Sequence, residues 1–327
     1  MGTFVISLDF ELHWGVRDHR TVADYRENLL GVRRAVPALL ALFSEYGIRA
    51  TWATVGFLFF ESKDELMAAL PKERPTYTNK TLDPYGALNE IGKDENDDPF
   101  HFAPTLIRMI KAAPEQEIAT HTFSHFYAMA PGPTLESFRA DVRAAMATGQ
   151  RFGGEIKSIV FPRNQVTADH VRICAEEGLI AYRGVESDPL VAAGRGLMAR
   201  AKRFTDSYVD IAGRCCGVAK EVEGLGIASI PQSRFLRPYD PRLAMFDGLR
   251  LRRILSSMTF AAQNHLMFHL WWHPHNFGKN TDRNISFLRA ILDHYKMLEE
   301  KFEFRSATMA EVAERVLASS VTRCQVS

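Results

Sequence analysis

The sequence predicts an α/β protein whose parallel strands, wrapped by helices, close or nearly close into a barrel. Short runs rich in β-branched and aromatic residues alternate with longer stretches whose apolar residues recur at steps of three and four. Roughly six to eight such units follow one another, enough to curl a parallel sheet. Clusters of Asp, Glu and His stand directly after three of the predicted strands, the end at which parallel barrels carry their chemistry.

Thr3 to Leu8 is the first strand. A helix follows from about Asp24 to Tyr46, where Leu29, Val32, Val36, Leu39, Leu40 and Phe43 form one apolar stripe and Gly47 supplies a stop. Pro37 inside it predicts a kink or a break. Ile48 to Val55 is the second strand. From about Glu61 to Pro104 the rhythm fails: Pro71, Pro75, Pro84 and Pro99 and the acidic run Asp94 to Asp98 read as a long insertion over the barrel mouth or edge. A helix (about Ala103 to Ala113), a strand (Glu117 to Thr120) and a helix (about Leu135 to Phe152) restore the alternation. A strand (Lys157 to Phe161), a helix (about Thr167 to Glu177) and a strand (Leu179 to Arg183) come next. Leu266 to Trp272 is a further strand, with a helix from about Asp282 to Lys301. Phe302 to Arg305 and a helix from about Met309 to Leu317 close the chain.

With 327 residues, 46% of them hydrophobic and 24% charged, the chain is long enough for one large domain or two. It reads as a single domain, 1–327, with insertions at about 61–104 and 190–250. A net charge of +1 gives no whole-protein argument for nucleic acid. No basic leader precedes the first apolar run, and no stretch approaches the roughly 18 apolar residues of a membrane span; the reading is a cytoplasmic protein. Cys174, Cys215, Cys216 and Cys324 show no C-x-x-C spacing and read as free thiols, Cys174 in a helix core.

The first polar cluster is Asp9-Phe10-Glu11. In an extended segment residues i and i+2 point the same way, so both carboxylates can face one cavity, where they repel unless a cation or a shared proton separates them. Taken alone, the pair reads more simply as a surface turn with two solvated acids. The second cluster is His121-Thr122-Phe123-Ser124-His125; histidines at i and i+4 lie on one face of a helical turn and can reach one metal. The third is His269-Leu270-Trp271-Trp272-His273-Pro274-His275-Asn276, where alternation puts His269, Trp271 and His273 on one side. Together the clusters offer two histidines and a carboxylate for a metal with an open position, a second carboxylate as base and a separate histidine as acid.

These residues resemble the polysaccharide deacetylase family, the family 4 carbohydrate esterases. Its acidic pair after the first strand corresponds to Asp9-Phe10-Glu11. Its H-[ST]-x-x-H motif is met in full by His121 to His125, and its late histidine after a hydrophobic strand by Leu270-Trp271-Trp272-His273-Pro274. Order and spacing agree from Val5 to about Ala310. The resemblance implies a distorted, incomplete (β/α) barrel of about seven parallel strands. It implies Asp9 as base, Glu11, His121 and His125 as ligands of one divalent ion (Zn, or Co, Ni, Fe or Mn), and His273 as the acid. Two departures stand out. The acids are separated by Phe10, and the arginine–proline motif appears as Phe161-Pro162-Arg163-Asn164-Gln165 in altered order, with Arg163 the candidate to orient Asp9. Asp188 and Glu186 are candidates to orient His273. Trp271, Trp272, Asn164 and His275 are the expected substrate contacts.

The implied function is metal-dependent removal of an N-acetyl or other N-acyl group, formyl included, from an amino sugar. Between Arg195 and Arg253 there are 12 Lys or Arg against 6 Asp or Glu. That surplus reads either as a solvated helical face or as a surface for a phosphorylated or lipid-linked sugar in polysaccharide assembly, with peripheral membrane contact. Two rivals are a metal-free hydrolase of cyclic amides or ureides, and a non-catalytic carbohydrate-binding protein stacking sugars on Trp14, Trp52, Trp271 and Trp272.

Overall fold

Ten strands form one sheet among residues 2–185 and 197–324, the residues described by the computed structural model. They are β1 (Thr3–Phe10), β2 (Ala50–Thr54), β3 (Glu117–Thr120), β4 (Ser158–Ile159), β5 (Ala181–Gly184), β6 (Lys220–Val222), β7 (Ile227–Pro231), β8 (Arg234–Phe235), β9 (Met267–Trp272) and β10 (Arg305–Ala307). Their order in space is β6-β7-β5-β4-β3-β2-β1-β9-β8, with β10 beside the first half of β1. Only β6 runs antiparallel to its neighbour. The sheet curls into a half-barrel with helices around it, the distorted, incomplete (β/α) barrel that was expected.

The helices are α1 (Val22–Tyr46), α2 (Lys63–Ala68), α3 (Pro104–Ala112), α4 (Leu135–Arg151), α5 (Ala168–Glu176), α6 (Leu197–Asp206), α7 (Asp247–Gln263), α8 (Thr281–Phe302) and α9 (Met309–Cys324). Thr21 caps α1 by accepting from the Asp24 N–H, and Gly47 ends it in a left-handed conformation at φ 62°. Pro37 does not end the helix. Burial of Val32, Ala35, Val36, Leu39 and Phe43 against the sheet outweighs the roughly 3 kcal/mol that an internal proline costs.

Strand alternation sorts the interior. Phe4, Ile6, Leu8 and Phe10 of β1 face the helices and join the main core with Trp52, Phe268, Leu270 and Trp272. Val5 faces the inside of the half-barrel, where Ala53, Ala119, Ala181, Ala228, Met267 and Met309 make an apolar floor. On that same inner face of β1, Ser7 and then Asp9 succeed Val5. The interior therefore turns from apolar to polar toward the C-terminal ends of the strands.

One segment does more than the sequence suggested. The stretch 190–250 is not a mere insertion, because it contributes β7, which pairs with β5, and β8, which pairs with β9. Residues 61–104 are tied to the neighbouring loops and strand ends by hydrogen bonds. The Tyr77 hydroxyl accepts from the Tyr127 N–H at 3.0 Å, the Trp14 indole donates to the His101 carbonyl at 3.0 Å, and the Ala103 N–H donates to the Leu58 carbonyl at 3.0 Å. Cys174 is buried in α5, and Cys174, Cys215 and Cys216 are free thiols.

Candidate metal centre

The two histidines come from the loop that follows β3. Thr122 and His125 both adopt left-handed backbone, φ 65° and 60°, so the pair does not lie on a helical turn as its spacing suggested. Asp141 of α4 shapes the loop instead. Its buried carboxylate accepts from the Phe123 N–H at 2.7 Å, from the Ser124 N–H at 3.2 Å and from the Ser124 hydroxyl. Such reversed turns cost of order 1–3 kcal/mol each, and fixed partners hold them in place. Gly56 closes the loop from below, since a Cβ there would collide with Phe123.

The loop brings both imidazoles onto one oxygen of Glu11. Glu11 Oε2 lies 3.2 Å from His121 Nε2 and 3.1 Å from His125 Nε2, and all three residues are at most 3% exposed. A tetrahedral ion with bonds of about 2.0–2.1 Å holds its ligands about 3.3 Å apart, so the donor set and its spacing fit a divalent ion. These are the only three grouped His, Cys, Asp or Glu side chains suited to a metal among the described residues. Both Nδ1 atoms are buried without a hydrogen-bond partner. Burial pushes the Glu11 carboxyl up, but His273 and the two imidazole hydrogen bonds outweigh it and hold the group well below the usual range. Burial lowers His125, which favours the neutral imidazole a metal needs.

Asp9 stands beside this set and is gripped by Arg183 of β5. Arg183 donates to Asp9 Oδ1 at 2.6 Å and to Oδ2 at 2.7 Å, and also to Ser7 Oγ at 3.1 Å and Asn164 Oδ1 at 3.0 Å. Its guanidinium lies 4.2 Å from the centre of the Trp271 ring. Burial would raise the Asp9 carboxyl; Arg183, with His121 and His273, holds it lower than usual. This corrects the expectation for Arg163, which pairs with Asp18 and lies 4.4 Å over the Tyr127 ring. Arg163 still lines the cavity, and Asn164 reaches Asp9 only through Arg183.

His273 Nε2 faces both acids, 3.5 Å from Glu11 Oε1 and 3.8 Å from Asp9 Oδ2. Asn276 Nδ2 lies 3.5 Å from its Nδ1, and the candidate partners Glu186 and Asp188 lie outside the described residues. His275 stacks on His273 with ring centres 5.0 Å apart and planes 18° apart. Burial, then the neighbouring His273, lowers His275 to about 3, so it faces the cavity as a neutral ring. His269, next inward on β9, meets Ser7 Oγ at 2.8 Å and is likewise lowered to about 3, chiefly by burial.

Asp9, Glu11, His121, His125, His273 and His275 line a cavity of about 450 Å3 with Trp271 and Phe235 as one wall. Trp272 is not a substrate contact. It points to the opposite face of β9, fully buried against Phe277 and Phe43. Trp14 and Trp52 are fully buried too, which removes three of the four proposed stacking platforms. Nor does the arginine surplus form an anion-binding surface as a whole. Arg234 and Arg253 are buried on Asp206, and Arg250 on Asp247.

Sequence reasoning missed Arg183, Asp141 and Gly15. Arg183 carried a signal: alternation from Ala181 puts it on the inner face of a buried strand, where a charge requires a partner. Gly15 carried none. A Cβ there would overlap the Glu11 carboxyl, a contact visible only in space.

No family model matches the sequence, and no curated protein does. Solved structures do. A Mycobacterium smegmatis protein assigned to the polysaccharide deacetylases superposes with a TM-score of 0.61 at 14% identity, covering 98% of this chain and 92% of that one. The fold is that of the polysaccharide deacetylases. A Pseudomonas aeruginosa PAO1 protein assigned to the same group gives 0.57 at 12% identity, covering 95% and 89%. This chain also superposes on a GH57 branching enzyme from Thermococcus kodakaraensis, with a TM-score of 0.58 at 14% identity, covering 96% of this chain and 71% of that one. One scaffold thus serves different chemistries, and the reaction has to be argued from the site.

Proposed function

We propose that this chain is a metal-dependent hydrolase that removes an N-acyl group, acetyl above all, from an amino sugar. The observation that carries the reading is the convergence of Glu11, His121 and His125 within 4.8 Å of one another, beside an arginine-gripped Asp9 and an open-faced His273. A divalent ion such as Zn, held by those three residues, supplies an acidified water and polarisation of the substrate carbonyl.

The protein's own groups divide the proton work. Asp9 is ionised at neutral pH and fixed in orientation by Arg183, so it takes the proton from the attacking water. His273 reaches into the cavity through Nε2 and gives a proton to the departing nitrogen, which would otherwise leave as a poor amide anion. Trp271 and Phe235 offer an apolar face to a sugar ring, while His275 and Asn164 present polar edges. The retained ligand set supports this reading over a metal-free hydrolase, and the burial of three tryptophans supports it over a pure binding protein.

The test is bound metal together with acetate release from N-acetylglucosamine oligomers. Wild type should hold about one divalent ion per chain, lost in His125→Ala. Asp9→Asn should keep the ion and lose about 10²–10⁴-fold in kcat. An Asp9→Asn protein that is metal-loaded and fully active would overturn the assignment.

A further inference from the structure

Among the described residues fourteen large apolar side chains are exposed, and eight of them fall between residues 198 and 249. Met198 (73% exposed) and Phe204 stand on α6; Met245 (83%) and Phe246 stand in the turn before α7, with Leu249 in its first turn. They are joined. The Phe204 ring is 5.4 Å from Tyr208, which is 6.1 Å from Phe246. Single exposed apolar residues are ordinary, whereas a joined patch marks a contact surface.

The charges of the same segment are sorted by depth. The two stretches that carry the patch, 197–206 and 240–253, hold seven Lys or Arg against three Asp or Glu in a chain whose net charge is only +1. Their three acids are all paired: Asp206 with the buried Arg234 and Arg253, Asp240 with Arg242, and Asp247 with the buried Arg250. Outward-facing Lys202 and Arg252 have no acid within ion-pair distance among the described residues. Arg242, 86% exposed in its side chain, stands with them, paired to Asp240. The patch adjoins the cavity. Arg237, which lies 5.3 Å over the Phe204 ring, is two residues beyond Phe235 in the cavity wall.

We propose that this face docks on an anionic lipid surface and seats the cavity rim against it. Apolar prongs among uncompensated cations are the chemistry that binds acidic headgroups and the acyl boundary beneath them. No described helix is long and apolar enough to cross a membrane, so the contact is peripheral. A second copy is a poorer occupant, because a twofold contact through this face would set its cations against each other. The inference does not depend on the reaction assigned to the site.

The metal-loaded protein is sedimented with phosphatidylcholine vesicles, alone or with about one third phosphatidylglycerol, at low and high salt. Pelleting is expected only with the anionic vesicles, weakening as salt rises. The double variant Met245→Asp/Leu249→Asp should bind at least about tenfold more weakly, and Lys202→Glu/Arg252→Glu should lose the salt-sensitive part. Both pairs are at the surface, so metal content and acetate release from a soluble substrate should not change. Failure of wild type to pellet with anionic vesicles overturns the proposal. So does a concentration-dependent dimer, seen by sedimentation velocity, that Met245→Asp/Leu249→Asp abolishes.

Discussion

Arg183 and Asp9 form a two-pronged, fully buried ion pair, 2.6 Å and 2.7 Å long, across the inside of the half-barrel. The guanidinium keeps the carboxylate charged where burial alone would favour its neutral form. Removing it strands a buried charge, at a cost of about 3–5 kcal/mol. In Arg183→Gln the Asp9 pKa rises, so the acid limb of the pH–kcat profile should move to higher pH. Arg163→Ala, which breaks the pair with Asp18 and the contact with the Tyr127 ring, should leave that limb in place. A shifted limb in Arg163→Ala with none in Arg183→Gln would reverse the roles.

Gly15 leaves room for the Glu11 carboxyl. Gly15 has no positive φ, so Gly15→Ala adds volume without backbone strain. The displaced carboxylate should weaken metal binding by about 10–100-fold, read by competition with a chelator, while the melting point of the metal-free protein hardly changes. Unaltered affinity would mean that Glu11 is not a ligand.

Burial raises the Asp141 carboxyl to about 6, despite hydrogen bonds from Ser124 and Phe123. Its folded pKa lies above the unfolded value of about 3.9, so folding favours the protonated form. The stability this group lends is full below about pH 4 and is lost as pH rises through about 6, a change of up to about 3 kcal/mol. Asp141→Asn should flatten that part of the curve in urea unfolding from pH 4 to 7. Parallel curves for the two proteins would show that Asp141 does not titrate there.

Neighbouring tryptophans should behave oppositely. Trp272→Ala empties the core against Phe277 and should cost about 3–5 kcal/mol. Trp271→Ala opens the cavity wall and should raise KM with a smaller loss of stability. Equal thermal shifts in the two variants would count against the assigned sides of β9.

The alternating pattern was readable from residues because each inner strand is a short apolar run bounded by turn residues. β7 and β8 escaped notice because they lie in an arginine-rich stretch whose charge suggested surface, when Arg234 and Arg253 are in fact buried on Asp206. The clustering of Glu11, His121 and His125 was readable for the opposite reason: each follows a strand. Arg163 was misread because order along the chain does not show which arginine crosses the barrel. Trp272 was misread although alternation placed it opposite Trp271. Gly15 and Asp141 act through distances between segments far apart in sequence.

β1 is hydrogen-bonded along one edge to β2 and along the other to β9. During synthesis Asp9, Glu11, His121 and His125 are all in the chain once residue 125 is made, but β9 arrives only after residue 266. Until then one edge of the central strand stays unpaired, an open template for other chains. Pairing partners so distant in sequence also find each other slowly. Yield of native protein from a fast-translating host should therefore be limited by aggregation of nascent chains rather than by the stability of the finished molecule.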